Sequence, residues 1–352
     1  MKPAAFIVAL FTALLFISCN EQKTKENDAL LIGKGQMPNI AKDQENNLYV
    51  VYGSGDSIMY SFSNNEGKTF SSPALIAVLP QLAASHMRGP QIAFTTDGII
   101  VIACNKPGDI FSYRKEDSGK WAPPVKVNDI DTVAKEGLMA LCADGKTAFA
   151  TWLDLRDKHN KIVGAKSTDG GKTWLKNIGI YASPDTTVCE CCKPSVAMSG
   201  EKIFVMFRNW LNGNRDLYLI QSSDGGNSFG QAKKLGNGSW KLNGCPMDGG
   251  GVVINNTGEP ETIWRRKDSI YACQPGQPET AIGEGRGCTI ESVNGKNVYA
   301  WTKNGEVIIR KPRGMKINLG KGQLPLIKRI NNEHILCIWE NDKQIYSGIV
   351  NL

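Results

Sequence analysis

Gly33-Lys34-Gly35-Gln36-Met37-Pro38-Asn39-Ile40, near the start of the chain, is almost repeated near its end as Gly320-Lys321-Gly322-Gln323-Leu324-Pro325-Leu326-Ile327. Five stretches between them follow the same pattern, so that positions equivalent to the proline fall at 38, 90, 139, 194, 250, 288 and 325. Successive positions are 37 to 56 residues apart. A repeat of this length is typical of propeller blades.

Each copy continues into strands rich in β-branched and aromatic residues, such as residues 48–52 and 203–207. The last copy ends at Val350 without a fourth strand, whereas residues 29–32 form a strand that precedes the first copy. We therefore predict an all-β fold, a single β-propeller of about seven blades, whose N-terminal strand closes the last blade. Six blades remain an alternative if the short copies after Gly250 merge.

Composition limits the functional classes. The chain has 352 residues, 41% hydrophobic and 21% charged, which excludes disordered and collagen-like proteins. Its net charge is +7, but the basic residues are scattered among acidic ones without a run. We therefore expect no nucleic-acid partner.

The N-terminus has the pattern of an export signal. Lys2 precedes an apolar stretch over residues 4–17, which Ser18-Cys19 closes, and the chain then turns polar at Asn20. A small residue before cysteine resembles the bacterial lipobox. This resemblance implies a signal peptide at 1–18, a polar linker at 19–28 and the propeller domain at 29–352.

If the lipobox is used, acylated Cys19 anchors the exported protein in the lipid bilayer of the cell envelope. Asn20 in place of aspartate favours the outer membrane in the lipoprotein-sorting pattern. An ordinary secretory signal is the alternative, and it also exports the protein.

Three segments resemble the Asp-box, the S-x-D-x-G-x-T-W signature of sialidase-like (BNR-repeat) propellers. They are Ser167–Trp174, Ser222–Phe229 and, with Asn65 in place of aspartate, Ser63–Phe70. A shortened form lies at residues 117–121. The resemblance implies that these boxes are structural turns on the face away from the ligand, so Asp169 and Asp224 are not catalytic acids.

Sialidases of this family hold a sugar carboxylate with three arginines and use a tyrosine nucleophile with an aspartate acid/base. The segment that carries the first arginine in the family is Gly35-Gln36-Met37-Pro38 in this chain, so Gln36 stands in place of the arginine and carries no charge. Arg88 lies in an R-x-P pattern of the second copy instead. The catalytic candidates are therefore weak: Arg88, Asp248 and Tyr271. Ligand-binding candidates are Gln36, Arg88 and Gln323.

Half of the ten cysteines lie at the same position within the repeat. Four of the ten, Cys104, Cys142, Cys273 and Cys337, fall inside apolar strands and fit a core. Five others and a histidine lie where inner strands begin: Cys189, Cys191, Cys192, Cys245, Cys288 and His86. Because all inner strands of a propeller begin at one end of its channel, these side chains are expected to converge on one funnel mouth.

Two interpretations of this cluster remain open. Export permits disulfides among the cysteines. Thiolates together with Met247, Met87 or His86 would instead form a soft-metal site for copper or zinc.

The leading functional hypothesis is an exported lipoprotein that binds a carbohydrate or another small polar ligand at the funnel mouth. A glycoside hydrolase of exo-alpha-sialidase type is the second hypothesis. The third is a scaffold that presents the propeller rim to another envelope protein.

Overall fold

The fold is a closed ring of seven sheets. The computed structural model describes residues 22–23, 29–116 and 118–352. In this part of the chain 28 strands form seven blades of four strands each, and a two-residue strand, β1 (Gln22–Lys23), adds to one of them. The seven-blade prediction is therefore confirmed.

The first four blades follow one another along the chain, beginning with the first copy of the repeat. Blade 1 contains β3 (Gln36–Lys42), β4 (Leu48–Ser54), β5 (Ser57–Ser63) and β6 (Ala74–Val78). Blade 2 contains β7 (Gln91–Thr95), β8 (Gly98–Cys104), β9 (Ile110–Arg114) and β10 (Val125–Lys126). Blade 3 contains β11 (Met139–Asp144), β12 (Thr147–Asp154), β13 (Lys161–Ser167) and β14 (Ile178–Tyr181). Blade 4 contains β15 (Ser195–Ser199), β16 (Lys202–Arg208), β17 (Leu217–Ser222) and β18 (Lys233–Lys234).

The last three blades include the closure of the ring. Blade 5 contains β19 (Gly250–Ile254), β20 (Pro260–Arg266), β21 (Ser269–Cys273) and β22 (Thr280–Glu284). Blade 6 contains β23 (Arg286–Val293), β24 (Lys296–Lys303), β25 (Glu306–Arg310) and β26 (Lys316–Lys321), with a 3-10 helix at Pro312–Gly314 and β1 parallel to β26. Blade 7 contains β27 (Gln323–Arg329), β28 (His334–Asn341), β29 (Gln344–Asn351) and β2 (Leu30–Lys34).

Strand β2 comes from the opposite end of the chain. It pairs antiparallel with β29, with Leu30 opposite Ser347 and Lys34 opposite Gln344. The predicted N-terminal strand that closes the last blade is thus confirmed. This pairing covers the edge that β29 would otherwise leave open.

The inner strands β3, β7, β11, β15, β19, β23 and β27 contact one another in that order, and β27 contacts β3. The core lies between neighbouring blades rather than inside one of them. Ile100 and Ile102 of blade 2, for example, share a buried cluster with Ala150 and Trp152 of blade 3. Second strands such as β8 are almost entirely buried because both of their faces pack against neighbouring blades.

Three of the inner strands begin with the same irregularity. Gln36, Arg286 and Gln323 each pair with a residue on the second strand of their own blade. The pairing resumes at residues 39, 289 and 326, so the inner strand has one residue more than the second strand over this interval. This is a β-bulge, which bends the strand and redirects side chains. The almost identical stretches at the two ends of the chain therefore fold into the same local structure.

The three segments that resemble the Asp-box fold into one kind of turn. Asp169 accepts hydrogen bonds from the Ser167 hydroxyl at 2.8 Å and the Thr173 backbone N–H at 3.0 Å. Asp224 and Asn65 make the equivalent bonds in their turns. Each turn follows the third strand of its blade, at the end of the channel where inner strands finish. Their assignment to the Asp-box family stays a prediction.

Several sequence predictions fall outside the described part of the chain. These are the signal peptide at 1–18, the lipidation site Cys19 and most of the 19–28 linker. Among the described residues, no helix has the length and apolar character needed to cross a bilayer.

Closure of the ring can be tested on β2. Ile32 is 5% exposed and packs in a cluster with Leu48, Tyr52 and Ile345, whereas its neighbour Leu31 is 50% exposed. We expect Ile32→Ala to lower the free energy of unfolding by about 2–4 kcal/mol because it leaves a cavity. Leu31→Ala, the matched control, changes it by less than about 0.5 kcal/mol. Urea unfolding measures both, and equal effects would contradict the closure.

Candidate functional site

The site is a funnel at the end of the channel where inner strands begin. An outer cavity of about 240 Å³ is lined by residues that include Gln36, His86, Met247, Arg286 and Gln323. These residues come from blades 1, 6 and 7 and from the segments before blades 2 and 5. The structure thus brings this set, from five different parts of the chain, to one cavity.

A second cavity of about 230 Å³ lies deeper in the channel. Both cavities are lined by Met37, Met87, Gly287 and Leu324, so these four residues form the wall between them. All four have positive φ, between 52° and 71°. Non-glycine residues rarely adopt this conformation, and such strain collects at ligand-binding sites.

The strained backbone is held by bonds between blades. The Met37 N–H donates to a Glu340 carboxylate oxygen of blade 7 at 2.8 Å. The Leu324 N–H donates to the Thr302 hydroxyl of blade 6 at 3.0 Å. The Gly287 N–H lies 3.3 and 3.2 Å from the two carboxylate oxygens of Asp248, which precedes blade 5. Each bulge is thus fixed by a side chain from the neighbouring blade or, for Asp248, from the segment that leads into that blade.

These bonds occupy the carboxylates at the mouth. Glu340 also accepts from the Gln36 amide at 3.4 Å and is 4% exposed. Asp248 is 1% exposed and lies 3.1 Å from Arg265 Nε. Burial raises the pKa of Asp248, although Arg265 and Arg208 act in the opposite direction. Asp248 is a catalytic candidate from the sequence. In the structure it connects two blades through its bonds to Gly287 and Arg265.

Two cations line the funnel, Arg286 and Lys193. In the described parts of the chain no carboxylate lies within 4 Å of Arg286 or Lys193. Arg286 belongs to the outer cavity and its guanidinium reaches only the Met247 carbonyl, at 3.4 Å. Lys193 belongs to the deeper cavity, where its ammonium donates to Gln91 Oε1 at 2.8 Å. Burial lowers the pKa of Lys193 to about 8.

Of the ligand-binding candidates, Gln36 and Gln323 line the outer cavity together. Arg88 lines neither cavity, because its guanidinium pairs with Glu136 at 3.1 Å between blades 2 and 3. Tyr271 is not brought to the funnel either. It lies on the third strand of blade 5, stacked against Trp264 and beneath the Arg266 guanidinium.

The predicted metal-ligand set is divided among three places. Cys189, Cys191, Cys192 and Cys245 form one cluster beside blade 4, and Cys191 is disulfide-bonded to Cys245. Cys288 is a free thiol that lines the deeper cavity, while His86 and Met247 line the outer one. The seven residues therefore do not form a single metal centre in the structure. The other interpretation of the cluster, disulfide bonds among its cysteines, describes the Cys191–Cys245 pair.

Charges around the cysteine cluster favour a thiolate. Arg215 Nη1 lies 3.1 Å from Cys189 Sγ. The sulfur hydrogen bond with Cys192, together with the charges of Arg208 and Arg215, lowers the pKa of Cys189 against the effect of burial. Burial and the neighbouring Cys189 raise the pKa of Cys192 well above its ordinary value. The pair therefore loses its two protons at widely separated pH values.

Several residues of the site are not among those predicted from the sequence, above all Glu340, Thr302 and Lys193. Glu340 and Thr302 pair directly with Gln323 and Arg286, at the ends of second strands. Second strands end where inner strands begin, so their last polar residues could have been found from the repeat. Lys193, in contrast, stands out only through its burial.

No protein-family model matches the chain, and no curated protein matches it in sequence. Among solved structures, a lectin from Burkholderia pseudomallei is similar with a TM-score of 0.65 at 10% identity, over 91% of this chain and 96% of the lectin. An alpha-L-arabinanase from Penicillium chrysogenum has a TM-score of 0.53 at 12% identity, over 92% and 98%. The NanB sialidase of Streptococcus pneumoniae has a TM-score of 0.48 at 13% identity, over 94% and 70%. Sequence identities this low show the propeller fold alone.

The bonds between blades can be tested at Thr302. Thr302→Val keeps the shape of the side chain but removes the hydroxyl that accepts the Leu324 N–H. We expect the free energy of unfolding to fall by about 1–3 kcal/mol because a backbone donor loses its partner. Thr280→Val, at an exposed strand position, is the matched control with little effect. Guanidinium unfolding compares the two, and an unchanged stability of Thr302→Val would be against the bond.

Proposed function

We propose that the protein binds a small polyhydroxylated ligand that carries a carboxylate, such as an acidic sugar, at the funnel mouth. The observation that carries this proposal is the charge arrangement. Arg286 lines the outer cavity and Lys193 the deeper one, and neither has a carboxylate of the described residues within 4 Å, while Glu340 and Asp248 are engaged in bonds between blades. A guanidinium and an ammonium are the groups that recognise a carboxylate.

The remaining lining fits a sugar. The Gln36 and Gln323 amides and the Ser85 and Thr302 side chains provide hydrogen-bonding groups around the outer cavity. Met37, Met87 and Leu324 provide an apolar wall. A volume of about 240 Å³ is below the roughly 300 Å³ at which most ligand pockets begin. This supports a single sugar residue rather than an oligosaccharide.

The hydrolase hypothesis receives less support from the site. Glycosidases place two carboxyl groups on either side of the scissile bond. Glu340 is the carboxylate among the described residues that line the outer cavity, and it holds the Met37 N–H. Binding without turnover is therefore the function that we propose.

We also propose that the protein is exported and anchored by acylated Cys19 in the bacterial outer membrane. The support is the sequence: an apolar stretch at 4–17 followed by Ser18-Cys19 and a polar linker. An envelope protein that contacts the rim of the propeller is compatible with this location, but no contact of the described residues favours it.

The ligand class can be tested with two sugars that differ only in the carboxylate, glucuronate and glucose. We expect glucuronate to bind at least about tenfold more tightly because the Arg286 guanidinium in the outer cavity pairs with its carboxylate. Arg286→Ala weakens glucuronate by about 10- to 100-fold. Calorimetric titration measures the affinities.

Arg313→Ala is the matched control for these titrations, since Arg313 is exposed in the outer loop of blade 6. It leaves the affinity for glucuronate unchanged. Equal affinities for the two sugars, or equal losses in Arg286→Ala and Arg313→Ala, would contradict the proposed ligand class.

Anchoring can be tested by growing cells with labelled palmitate. The wild-type protein incorporates the label, and Cys19→Ala abolishes it because the acceptor thiol is lost. Cys142→Ala, which removes a cysteine inside blade 3, retains the label. Labelling that persists in Cys19→Ala would exclude this anchor.

A further inference from the structure

Four sulfur atoms lie together beside the funnel. Cys189 Sγ is 3.4 Å from Cys192 Sγ and 3.8 Å from Cys191 Sγ. Cys191 is in turn bonded to Cys245, 54 residues further along the chain. One disulfide and one dithiol are thus in direct contact.

The two pairs differ in their access to solvent. Cys189 and Cys192 are 0% and 1% exposed. Cys191 is half-buried and Cys245 is exposed, in the loop that precedes blade 5. The dithiol therefore lies inside the protein, and the disulfide connects it to the surface.

The surroundings of Cys189 suit a nucleophile. The Arg215 guanidinium, 3.1 Å from Cys189 Sγ, provides the positive charge that stabilises a thiolate. The thiolate is the form that attacks a disulfide. With Cys191 Sγ 3.8 Å away, the attacking and the attacked sulfur are already neighbours.

We propose that Cys189, Cys191, Cys192 and Cys245 form a thiol–disulfide exchange site, in which the buried dithiol reduces the surface disulfide. In the first step the Cys189 thiolate attacks Cys191 Sγ, and the Cys191–Cys245 bond breaks as Cys245 leaves as a thiolate. In the second step Cys192 attacks Cys189 Sγ, and Cys191 leaves and takes the proton that Cys192 gives up. The product is a Cys189–Cys192 disulfide with a thiol at Cys191 and a thiolate at Cys245.

This exchange conserves one disulfide, one thiol and one thiolate, so it needs no external oxidant. It brings two reducing equivalents from the interior to the surface. The partner class is therefore a disulfide, in a protein or a small molecule, that the exposed Cys245 thiol attacks and the Cys191 thiol resolves. The site is separate from the sugar site, because neither cavity is lined by these four cysteines.

The exchange can be trapped without added reductant. The full-length protein, with its disulfide intact, is incubated at neutral pH with N-ethylmaleimide, quenched with acid and digested with trypsin. Residues 177–202 then form one peptide with Cys189, Cys191 and Cys192, and residues 242–265 another with Cys245. The native disulfide links the two peptides, whereas the product disulfide lies within the first.

We expect a progressive gain of maleimide on Cys245 and Cys191, together with an internal Cys189–Cys192 disulfide in peptide 177–202. Cys189→Ser loses at least nine-tenths of the Cys245 label, roughly a tenfold effect. Cys192→Ser still allows the first step, so it keeps the Cys245 label but stops at a Cys189–Cys191 disulfide and leaves Cys191 unlabelled. Cys142→Ser, the control for removal of a thiol elsewhere, labels like the wild type. Circular dichroism spectra confirm that the variants are folded.

Two results would overturn the proposal. In the first, the peptides stay linked and Cys245 remains unlabelled while the buried thiols react directly. In the second, the purified protein lacks the linked peptides and carries one equivalent of copper or zinc, which would make the cluster a four-thiolate metal site.

Discussion

The funnel depends on hydrogen bonds that cross from one blade to the next where inner strands bulge. Backbone N–H groups at Met37, Gly287 and Leu324 point to Glu340, Asp248 and Thr302, which all belong to or precede the neighbouring blade. Each of these residues lies in a bulge, where it is left out of the strand ladder, so its N–H needs another acceptor. The ring of blades supplies that acceptor, and the wall of the funnel follows from it.

The same bonds determine the charge of the site. Glu340 and Asp248 accept backbone N–H groups, and Asp248 also pairs with Arg265, while Arg286 and Lys193 form no ion pair among the described residues. The cysteine cluster uses other cations, Arg208 and Arg215, to hold a thiolate. Two neighbouring parts of one rim therefore have different chemistry: one fits an anionic ligand, the other a disulfide.

The repeat made the fold predictable. The almost identical stretches around Gln36 and Gln323 place the inner strands, and the unpaired ends of the chain predict the closing strand β2. The site was predictable only in part. Position along the repeat brings Gln36, His86, Met247 and Gln323 to one mouth, but it does not say which way a side chain turns. Arg88 turns to Glu136, and the cysteines separate from Cys288, because pairing and packing within each loop decide this.

Hydrogen exchange of individual amides tests the central interaction most directly. The Met37 and Leu324 N–H groups border a cavity and lie outside the regular ladder pairing of their strands. If they donate to Glu340 and Thr302, deuterium exchange followed by NMR shows protection close to that of amides inside the strands. Exchange as fast as that of the exposed turn amide of Gly55 would contradict the bonds between blades and the funnel built on them.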